Sequence, residues 1–232
     1  VMARRQRQMC IRDRFRDAPD YSYVPTGIEA LDDKIMGLMQ GHFTVIKAPT
    51  GIGKTEVMRY LEYNMLSRKV PFASWHLEET KLRSVLGLVS YHLNQNLTRR
   101  DIIESLGVQQ LVEEAITDIT KDELFYQFYM PDGSDSETFV EQIRYLTQGC
   151  ECKYIFFEPI QDVIVGSSED SKEQQLADLS VRLSKLAAEL NVGIVTSANT
   201  NDNGDPKYCK MIGQRASVII DLYRDKDAED SN

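Results

Sequence analysis

The fold of this chain is decided by the stretch Val45-Ile46-Lys47-Ala48-Pro49-Thr50-Gly51-Ile52-Gly53-Lys54-Thr55. It begins in an apolar run and passes through two glycines into a segment whose apolar residues have helical spacing. A glycine-rich turn ending in Gly-Lys-Thr between a strand and a helix is typical of a phosphate-binding loop. We therefore expect a nucleotide site at the carboxyl end of a buried strand.

Each residue type in this loop has a physical reason. Glycines let the backbone turn its amide groups toward phosphate oxygens, and the helix N-terminus adds a favourable dipole. Lys54 can reach the β and γ phosphates, and the Thr55 hydroxyl can ligate Mg²⁺. The first position is alanine where the strict pattern has glycine. The predicted cofactors are ATP or another nucleoside triphosphate and Mg²⁺, bound by Ala48, Pro49, Thr50, Gly51, Ile52, Gly53, Lys54 and Thr55.

Outward from the loop, short β-rich runs alternate with amphipathic segments. The predicted strands are Phe43–Lys47, Phe72–His76, Phe125–Tyr129, Tyr154–Phe157, Gly193–Ser197 and Val218–Tyr223. The longest predicted helices are Thr55–Ser67, Ser136–Gln148 and Lys172–Leu190. This alternation predicts an α/β fold with a mostly parallel sheet and helices on both faces. Before the first strand, Thr26-Gly27-Ile28-Glu29 has capping-box spacing and predicts a short helix.

Length and composition fit one domain. The chain has 232 residues, 42% of them hydrophobic, which is enough for one well-buried sheet. We treat the arginine-rich residues 1–20 as a non-native or disordered segment and residues 21–232 as the ATPase domain. No run approaches the roughly 20 apolar residues of a membrane span, so we expect a cytoplasmic protein that contacts no membrane. The net charge of −9 argues against a generally basic DNA-binding coat, so DNA contacts must come from locally positive loops.

A second strand supplies an acidic residue for the metal. The run Tyr154-Ile155-Phe156-Phe157 is followed by Glu158, where a P-loop ATPase places the carboxylate that holds the Mg²⁺ shell. Most such motifs use aspartate here, and the longer glutamate must retract or act through a water. Asp162 is a competing candidate for this role. We assign the metal site to Thr55 and Glu158.

A third strand, Ser74-Trp75-His76-Leu77, ends in Glu78 and Glu79. Strand ends in an open α/β sheet face the ligand crevice. A carboxylate there can polarise a water for in-line attack on the γ-phosphate, so Glu78 is the candidate general base. For Glu79 we favour a solvated acidic helix start, where the helix dipole stabilises carboxylates.

The strand Val192–Ala198 is followed by a polar residue, Asn199. Asn199 could contact the γ-phosphate and report its loss, which would complete a catalytic set with Lys54, Glu78 and Glu158. Asn199 could equally belong to a turn with Asn201, Asp202 and Gly204, because this composition favours turns whatever the ligand. The residues by themselves leave both alternatives open.

These motifs, in this order, resemble the superfamily 4 replicative DNA helicases. The resemblance covers about residues 23–225 and is closest to the phage primase-helicases and mitochondrial Twinkle, and more distant to DnaB. The residues that carry it are Thr26-Gly27, Ala48–Thr55, Leu77-Glu78-Glu79-Thr80, Glu158-Pro159-Ile160-Gln161, Asn199, and Gly213-Gln214 before Val218–Asp225. It implies a RecA-like P-loop NTPase fold with Glu78 as base and Asn199 and Gln214 as phosphate sensors. It further implies a homo-hexameric ring that hydrolyses nucleoside triphosphate and pulls single-stranded DNA through its centre, with a primase domain or protein as a possible partner.

The resemblance also implies two DNA-contacting loops, at residues 166–174 and 201–212. Only the second has the expected positive charge and aromatic ring, in Lys207, Tyr208 and Lys210. The chain departs from the family pattern at Glu158, which replaces aspartate, and at Asn199, where the phage enzymes have histidine and DnaB-type enzymes glutamine.

A third departure concerns the arginine finger, which stabilises phosphoryl transfer in a neighbour's site. In the family it comes on strands beyond Asp225, and Arg215 and Arg224 are poor substitutes. We therefore expect a domain that is truncated at its C-terminus, binds nucleotide and hydrolyses it slowly.

A different class of function stays open at this point. A RecA- or KaiC-like ATP-binding switch would use nucleotide to drive assembly without moving a strand, and the acidic body suits it. The Gln214 segment and the Leu77-Glu78-Glu79 strand favour the helicase. A small-molecule kinase would need a substrate lid and phosphoryl-transfer residues that the sequence gives no means to place.

Overall fold

The computed structural model describes residues 22–97, 108–128, 135–164, 169–201 and 203–224. Its strands are β1 (Tyr23–Val24), β2 (Leu38–Met39), β3 (Phe43–Ala48), β4 (Phe72–His76), β5 (Phe125–Phe128), β6 (Tyr154–Glu158), β7 (Gly193–Asn199) and β8 (Val218–Asp221). The last six form one sheet in the order β5-β4-β6-β7-β3-β8, and every pair in it is parallel. The predicted parallel sheet is confirmed, while β1 and β2 form a separate antiparallel ribbon.

Seven helices lie within the described residues. They are α1 (Glu29–Ile35), α2 (Lys54–Ser67), α3 (Lys81–Leu93), α4 (Val108–Thr120), α5 (Ser136–Gln148), α6 (Glu169–Leu190) and α7 (Met211–Arg215). In that part of the chain, no helix combines the length and apolar character that crossing a membrane requires.

The helices cover both faces of the sheet, as predicted. Successive side chains of a strand point to opposite faces, and β6 shows this directly. Its Ile155 and Phe157 join a core that contains residues of α5 and α6, whereas Tyr154 and Phe156 join a core with Met58 and the rest of α2. Helices α3 and α4 pack together outside α2 in a third cluster.

The predicted element bounds hold except at a few ends. Strands β3, β6 and β7 each run one or two residues further than predicted, so that Ala48, Glu158 and Asn199 are strand residues. Strand β8 stops at Asp221 instead of Tyr223, and α6 begins at Glu169 instead of Lys172. Tyr129 and the proposed N-terminal segment 1–20 lie outside the described residues.

Helix α1 exists as predicted, but the predicted capping box is wrong. The carboxylate of Asp32, not Glu29, closes the turn: it accepts from the Thr26 amide at 2.7 Å, the Thr26 hydroxyl at 2.8 Å and the Gly27 amide at 3.1 Å. Thr26 Oγ1 accepts from the Ile28 amide at 3.1 Å, and the N-cap is Ile28, two residues later than the box requires. Asp32 therefore takes the place of Glu29 as the acceptor for the Thr26 amide.

Candidate nucleotide-binding site

A cleft of about 400 Å³ opens at the carboxyl ends of β3, β4, β6 and β7. It is lined by Thr50, Gly51, Gly53, Lys54, Thr55, Glu56, Arg59, Glu78, Glu79, Arg83, Glu158, Pro159, Ser197 and Asn199. In a parallel sheet, strand ends of the same polarity lie at one edge, and this is where α/β proteins bind ligands. The fold thus brings the predicted residues Lys54, Thr55, Glu78, Glu158 and Asn199 into one cleft.

The phosphate-binding loop has the backbone that its sequence predicts. Gly51 and Gly53 have φ angles of 84° and 110°, which are strained for other residues, and Lys54 begins α2. An added Cβ at either glycine would meet no atom within 4 Å, so both positions face the open cleft. The loop therefore presents bare backbone at a helix N-terminus, which suits phosphate oxygens.

Lys54 is the cation of the cleft. Its Nζ donates to the carbonyl oxygens of Ala48 at 3.1 Å and Pro49 at 2.9 Å. Burial lowers the pKa of Lys54, and the carboxylates of Glu78 and Glu158 oppose this shift. A cation held between loop carbonyls and two carboxylates stands where the phosphate chain of a nucleotide would need charge compensation.

Glu158 is held by a buried histidine, His76. His76 and Glu158 are register partners on the adjacent strands β4 and β6. Their side chains bond, with His76 Nδ1 and Glu158 Oε1 2.8 Å apart, and His76 Nε2 lies 3.1 Å from the Glu62 carboxylate. Burial would lower the pKa of His76, but the charge of Glu62 and the bonds to both carboxylates raise the pKa to about 10.

This array gives a physical reason for glutamate in place of the usual aspartate. The imidazolium of His76 lies between Glu62 and Glu158, all three nearly inaccessible to water. The additional methylene of Glu158 allows its carboxylate to bond His76 and still line the cleft. The longer Glu158 side chain thus makes a specific cross-strand bond to His76.

Removing this histidine should destabilise the fold. His76→Ala leaves Glu62 and Glu158 buried without the cation between them, and breaking a buried ion pair costs about 3–5 kcal/mol. His92→Ala is a matched control, because His92 pairs with Asp118 at the partly exposed surface at 3.3 Å and such pairs contribute about 0–1 kcal/mol. Urea unfolding followed by circular dichroism measures the free energy of unfolding of each variant. If both variants lost the same free energy of unfolding, His76 would not be part of a buried charge array.

Glu78 lies directly beyond β4 and lines the cleft. Burial raises the pKa of its carboxyl group, and the nearby Asp162 and Glu158 carboxylates raise it further, while Lys54 acts in the opposite direction. A carboxylate with a raised pKa is a stronger base than an exposed glutamate. The environment of Glu78 therefore suits the predicted general base.

Glu79 is not the solvated helix-start carboxylate that we expected. It bonds Arg59 and lies 3.3 Å from Arg83, and its side chain is only 14% exposed. The helix that follows instead starts at Lys81 with Thr80 as its N-cap, which accepts from the Arg83 amide. Two cations replace water around this carboxylate, because the start of α3 lies directly over α2.

Arg59 is a cleft residue that the sequence analysis missed. Its side chain is 2% exposed and bonds both Glu56 and Glu79. A Cβ at position 87 would come within 2.3 Å of Arg59 Nε, so Gly87 allows α3 to pass over this guanidinium. The spacing along α2 was the signal that could have found it. Arg59 follows Thr55 by one helical turn, so the two residues lie on the same face of α2.

Asn199 is the last residue of β7, and its carbonyl accepts from the Lys207 amide at 2.7 Å, so it also closes the loop that follows. The turn forms further along, where Asn201 Oδ1 accepts from the amides of Asn203 and Asp205 at 3.1 Å each. Asn199 Oδ1 lies 3.5 Å from Thr50 Oγ1 in the phosphate-binding loop. A role as phosphate sensor is compatible with this position and stays a prediction.

Other predicted residues lie outside the cleft lining. Asp162 forms part of a short 3-10 turn after β6 and acts on the cleft through its charge on Glu78. Gln214 lies in α7 and lines a second cleft with residues of α6, and its role as a phosphate sensor stays a prediction. Of the predicted loop 166–174, residues 166–168 lie outside the described residues, and 169–174 are not a loop but the first turns of α6.

Comparison with known proteins places this geometry in context. A family model described as the DnaB-like helicase C terminal domain matches residues 23–232. A probable plasmid replicative DNA helicase of Chlamydia psittaci is 26% identical over 227 residues, covering 87% of this chain and 46% of that protein. The replicative DNA helicase DnaB of Helicobacter pylori strain J99 is 25% identical over 220 residues, covering 87% of this chain and 44% of that protein. The chain thus spans about half the length of the curated relatives it matches.

Two solved structures share the fold. A DnaB-like replicative helicase, described with its interactions with primase, superposes with a TM-score of 0.74 at 19% identity, and the match covers 98% of this chain and 57% of that one. A second structure, described as an ATPase domain, superposes with a TM-score of 0.69 at 18% identity, and the match covers 98% of this chain and 85% of that one.

Proposed function

Because the chain belongs to the DnaB-like helicase C-terminal domain family, we propose that it is the motor domain of a replicative DNA helicase. In this role it hydrolyses ATP or another nucleoside triphosphate, translocates on single-stranded DNA and unwinds duplex. The observation that carries the proposal is the convergence of Lys54, Thr55, Glu78, Glu158 and Asn199 on one cleft at the carboxyl edge of the sheet.

The residues of the cleft fit a Mg²⁺-nucleotide. The bare backbone at Gly51 and Gly53 and the ammonium of Lys54 would hold the phosphates. Thr55 and Glu158 have the hydroxyl and carboxylate oxygens that Mg²⁺ prefers and would hold the ion, which would supply charge neutralisation for the phosphates. Glu78 takes a proton from the attacking water, and Asn199, near Thr50, contacts the γ-phosphate.

A basic and aromatic loop supports single-stranded DNA as the substrate. We name residues 203–210 the lysine loop. The ammonium groups of Lys207 in this loop and of Lys172 in α6 lie 5.0 and 5.1 Å from the centroid of the Tyr208 ring. The Tyr208 side chain and both lysines are at least partly exposed. Lysines track phosphates and aromatic rings stack on bases, so this arrangement suits a strand of DNA on an otherwise acidic protein.

Charge removal in the lysine loop should weaken DNA binding in a salt-dependent manner. Lys207→Ala combined with Lys210→Ala is expected to weaken the binding of oligothymidylate. Each phosphate contact to a single strand contributes about 0.7 to the slope of log K against log salt, so the loss of two contacts should reduce the slope by about 1.4. Fluorescence anisotropy at a series of salt concentrations measures the slope. The double variant Lys34→Ala and Lys185→Ala removes the same charge from exposed positions on α1 and α6 and should keep the slope. An unchanged slope in the loop variant would remove the lysine loop from the DNA path.

We further propose a homo-hexameric ring and a primase as partners. A ring supplies each cleft with a neighbouring subunit, which is the source of the arginine that stabilises phosphoryl transfer in this class of motor. The fold likeness to a DnaB-like helicase described with its primase interactions makes primase the first partner to test.

The direct test of the proposed function is ATP hydrolysis with and without single-stranded DNA. A translocating motor couples the two, so the rate should rise when oligothymidylate is added. Hydrolysis that is indifferent to DNA, at protein concentrations where oligothymidylate is bound, would instead favour a RecA- or KaiC-like nucleotide switch.

A further inference from the structure

Gln161 is a buried glutamine whose side chain joins two separate parts of the molecule. It lies in the 3-10 turn Ile160–Asp162 that follows β6 and is only 2% exposed. Its Nε2 donates to the carbonyl oxygens of Asn199 at 3.1 Å and Lys207 at 3.3 Å, and its Oε1 accepts from the Asn199 amide at 3.3 Å. The nitrogen and the oxygen of the Gln161 amide thus both bond to backbone atoms. Leaving a buried amide group without hydrogen bonds would cost free energy.

The first partner, Asn199, belongs to the nucleotide cleft. Its side-chain oxygen lies 3.5 Å from Thr50 Oγ1, and it is the last residue of the central strand β7. Gln161 itself follows Glu158 by three residues, within the same strand end and turn. A shift of Asn199 or of the β6 end must therefore either carry Gln161 along or break its bonds.

The second partner, Lys207, belongs to the lysine loop. Its carbonyl accepts from Gln161, and its amide donates to the Asn199 carbonyl at 2.7 Å. The neighbouring Tyr208 has a left-handed backbone with φ of 68°, so its ring position depends on how the backbone at Lys207 is held. Elsewhere in this loop, Lys47 Nζ donates to the Gly204 carbonyl at 2.9 Å, which anchors the end of the loop away from Tyr208.

We propose that Gln161 is a positioning residue that couples nucleotide in the cleft to single-stranded DNA on the lysine loop. The amide of Gln161 bonds to both backbones and reinforces the direct bond between the Lys207 amide and the Asn199 carbonyl, so a nucleotide that moves Asn199 changes the placement of Lys207 and Tyr208. Coupling of this kind is reciprocal, and DNA on the loop must change nucleotide affinity by the same factor. The inference rests on the proposed contact between the lysine loop and DNA.

The test compares how nucleotide changes DNA affinity in the wild-type protein and in Gln161→Met. Methionine keeps the approximate volume of glutamine but has no donor for the two carbonyls. Oligothymidylate binding is titrated with ADP and with a non-hydrolysable ATP analogue, and the ratio of the two affinities is the coupling factor. We expect a wild-type factor of about 5- to 150-fold, the usual range of allosteric coupling, and a factor several times smaller in the variant, which keeps only the direct bond between the Lys207 amide and the Asn199 carbonyl. Nucleotide affinity measured without DNA should change by less than about threefold, because Gln161 does not line the cleft.

Two further variants separate coupling from structural damage. Lys207→Met should weaken DNA binding equally in both nucleotide states and so keep the coupling factor, because it removes a charge and leaves the Lys207 carbonyl in place. Gln110→Met changes an exposed glutamine on α4 and should behave as wild type. Gln161→Glu retains an acceptor for the Asn199 amide, but its second carboxylate oxygen would face the carbonyl oxygens of Asn199 and Lys207 and repel them. This variant should therefore also lose coupling, and it provides a second test if the methionine variant unfolds.

The outcomes are distinguishable. A wild-type coupling factor that persists in both Gln161→Met and Gln161→Glu would overturn the role of Gln161 and leave the proposed helicase function standing. A wild-type protein that binds nucleotide but no oligothymidylate in either nucleotide state would overturn the proposed DNA function and the coupling with it.

Discussion

Lys54→Ala is expected to lower the affinity for Mg²⁺-ATP by about thirtyfold or more, because removing one partner of a buried, charge-assisted contact costs about 2–5 kcal/mol. The phosphate chain would lose the cation that the cleft provides. Glu78 and Glu158, which lie close enough to Lys54 to oppose its pKa shift, would then face the nucleotide phosphates uncompensated. Titration with a fluorescent ATP analogue measures the loss directly.

The fold should survive this change. In the structure, Lys54 Nζ bonds only to carbonyl oxygens of its own loop, Ala48 and Pro49, among the hydrogen bonds of the described residues. Lys69→Ala is the matched control, because this lysine follows the far end of the same helix and its side chain is 77% exposed. ATP affinity that is unchanged in Lys54→Ala would refute the assignment of residues 48–55 as a phosphate-binding loop.

Glu78→Gln is expected to lower the rate of ATP hydrolysis by about 10²- to 10⁴-fold, the usual contribution of a general base. Glutamine has nearly the same shape but does not take a proton from the attacking water. Nucleotide binding should persist, since Lys54 and the loop backbone are untouched, and the affinity is expected to rise slightly because one negative charge near the phosphates is lost.

This prediction is tested by measuring hydrolysis and nucleotide binding on the same preparation, with and without oligothymidylate. Glu113→Gln makes the same chemical change at an exposed position on α4 and should leave both quantities unchanged. If Glu78→Gln retained hydrolysis within about threefold of wild type, the base would have to be another group, and Asp162 would be the next carboxylate to test.

Several features of the site were predictable because each depends on a short, continuous segment of the sequence. The glycines that allow left-handed φ angles lie next to Lys54 and Thr55, and each acid lies within a few residues of the apolar run that predicts its own strand. Secondary structure depends largely on such local spacing. The sequence therefore predicted the phosphate-binding loop, the parallel sheet with helices on both faces, and the positions of Glu78, Glu158 and Asn199.

Contacts between distant positions were not predictable. His76 and Glu158 are 82 residues apart in the chain, and Gln161 is separated by 38 residues from Asn199 and by 46 from Lys207. These pairs meet only because β4 and β7 both lie beside β6 in the sheet order β5-β4-β6-β7-β3-β8. Alternation of strands and helices indicates a parallel sheet but does not fix the order of its strands.

The sequence by itself therefore determined the chemistry that is available, and the tertiary structure decided which groups act together. Local patterning placed a cation, a hydroxyl and three polar strand ends at the same edge of a sheet. Strand order then set His76 against the unusual Glu158, enclosed Glu79 between two arginines, and brought Gln161 against both the cleft and the lysine loop. The physical reason is that side-chain pairing across strands depends on register and neighbour order, which arise from packing of the whole chain.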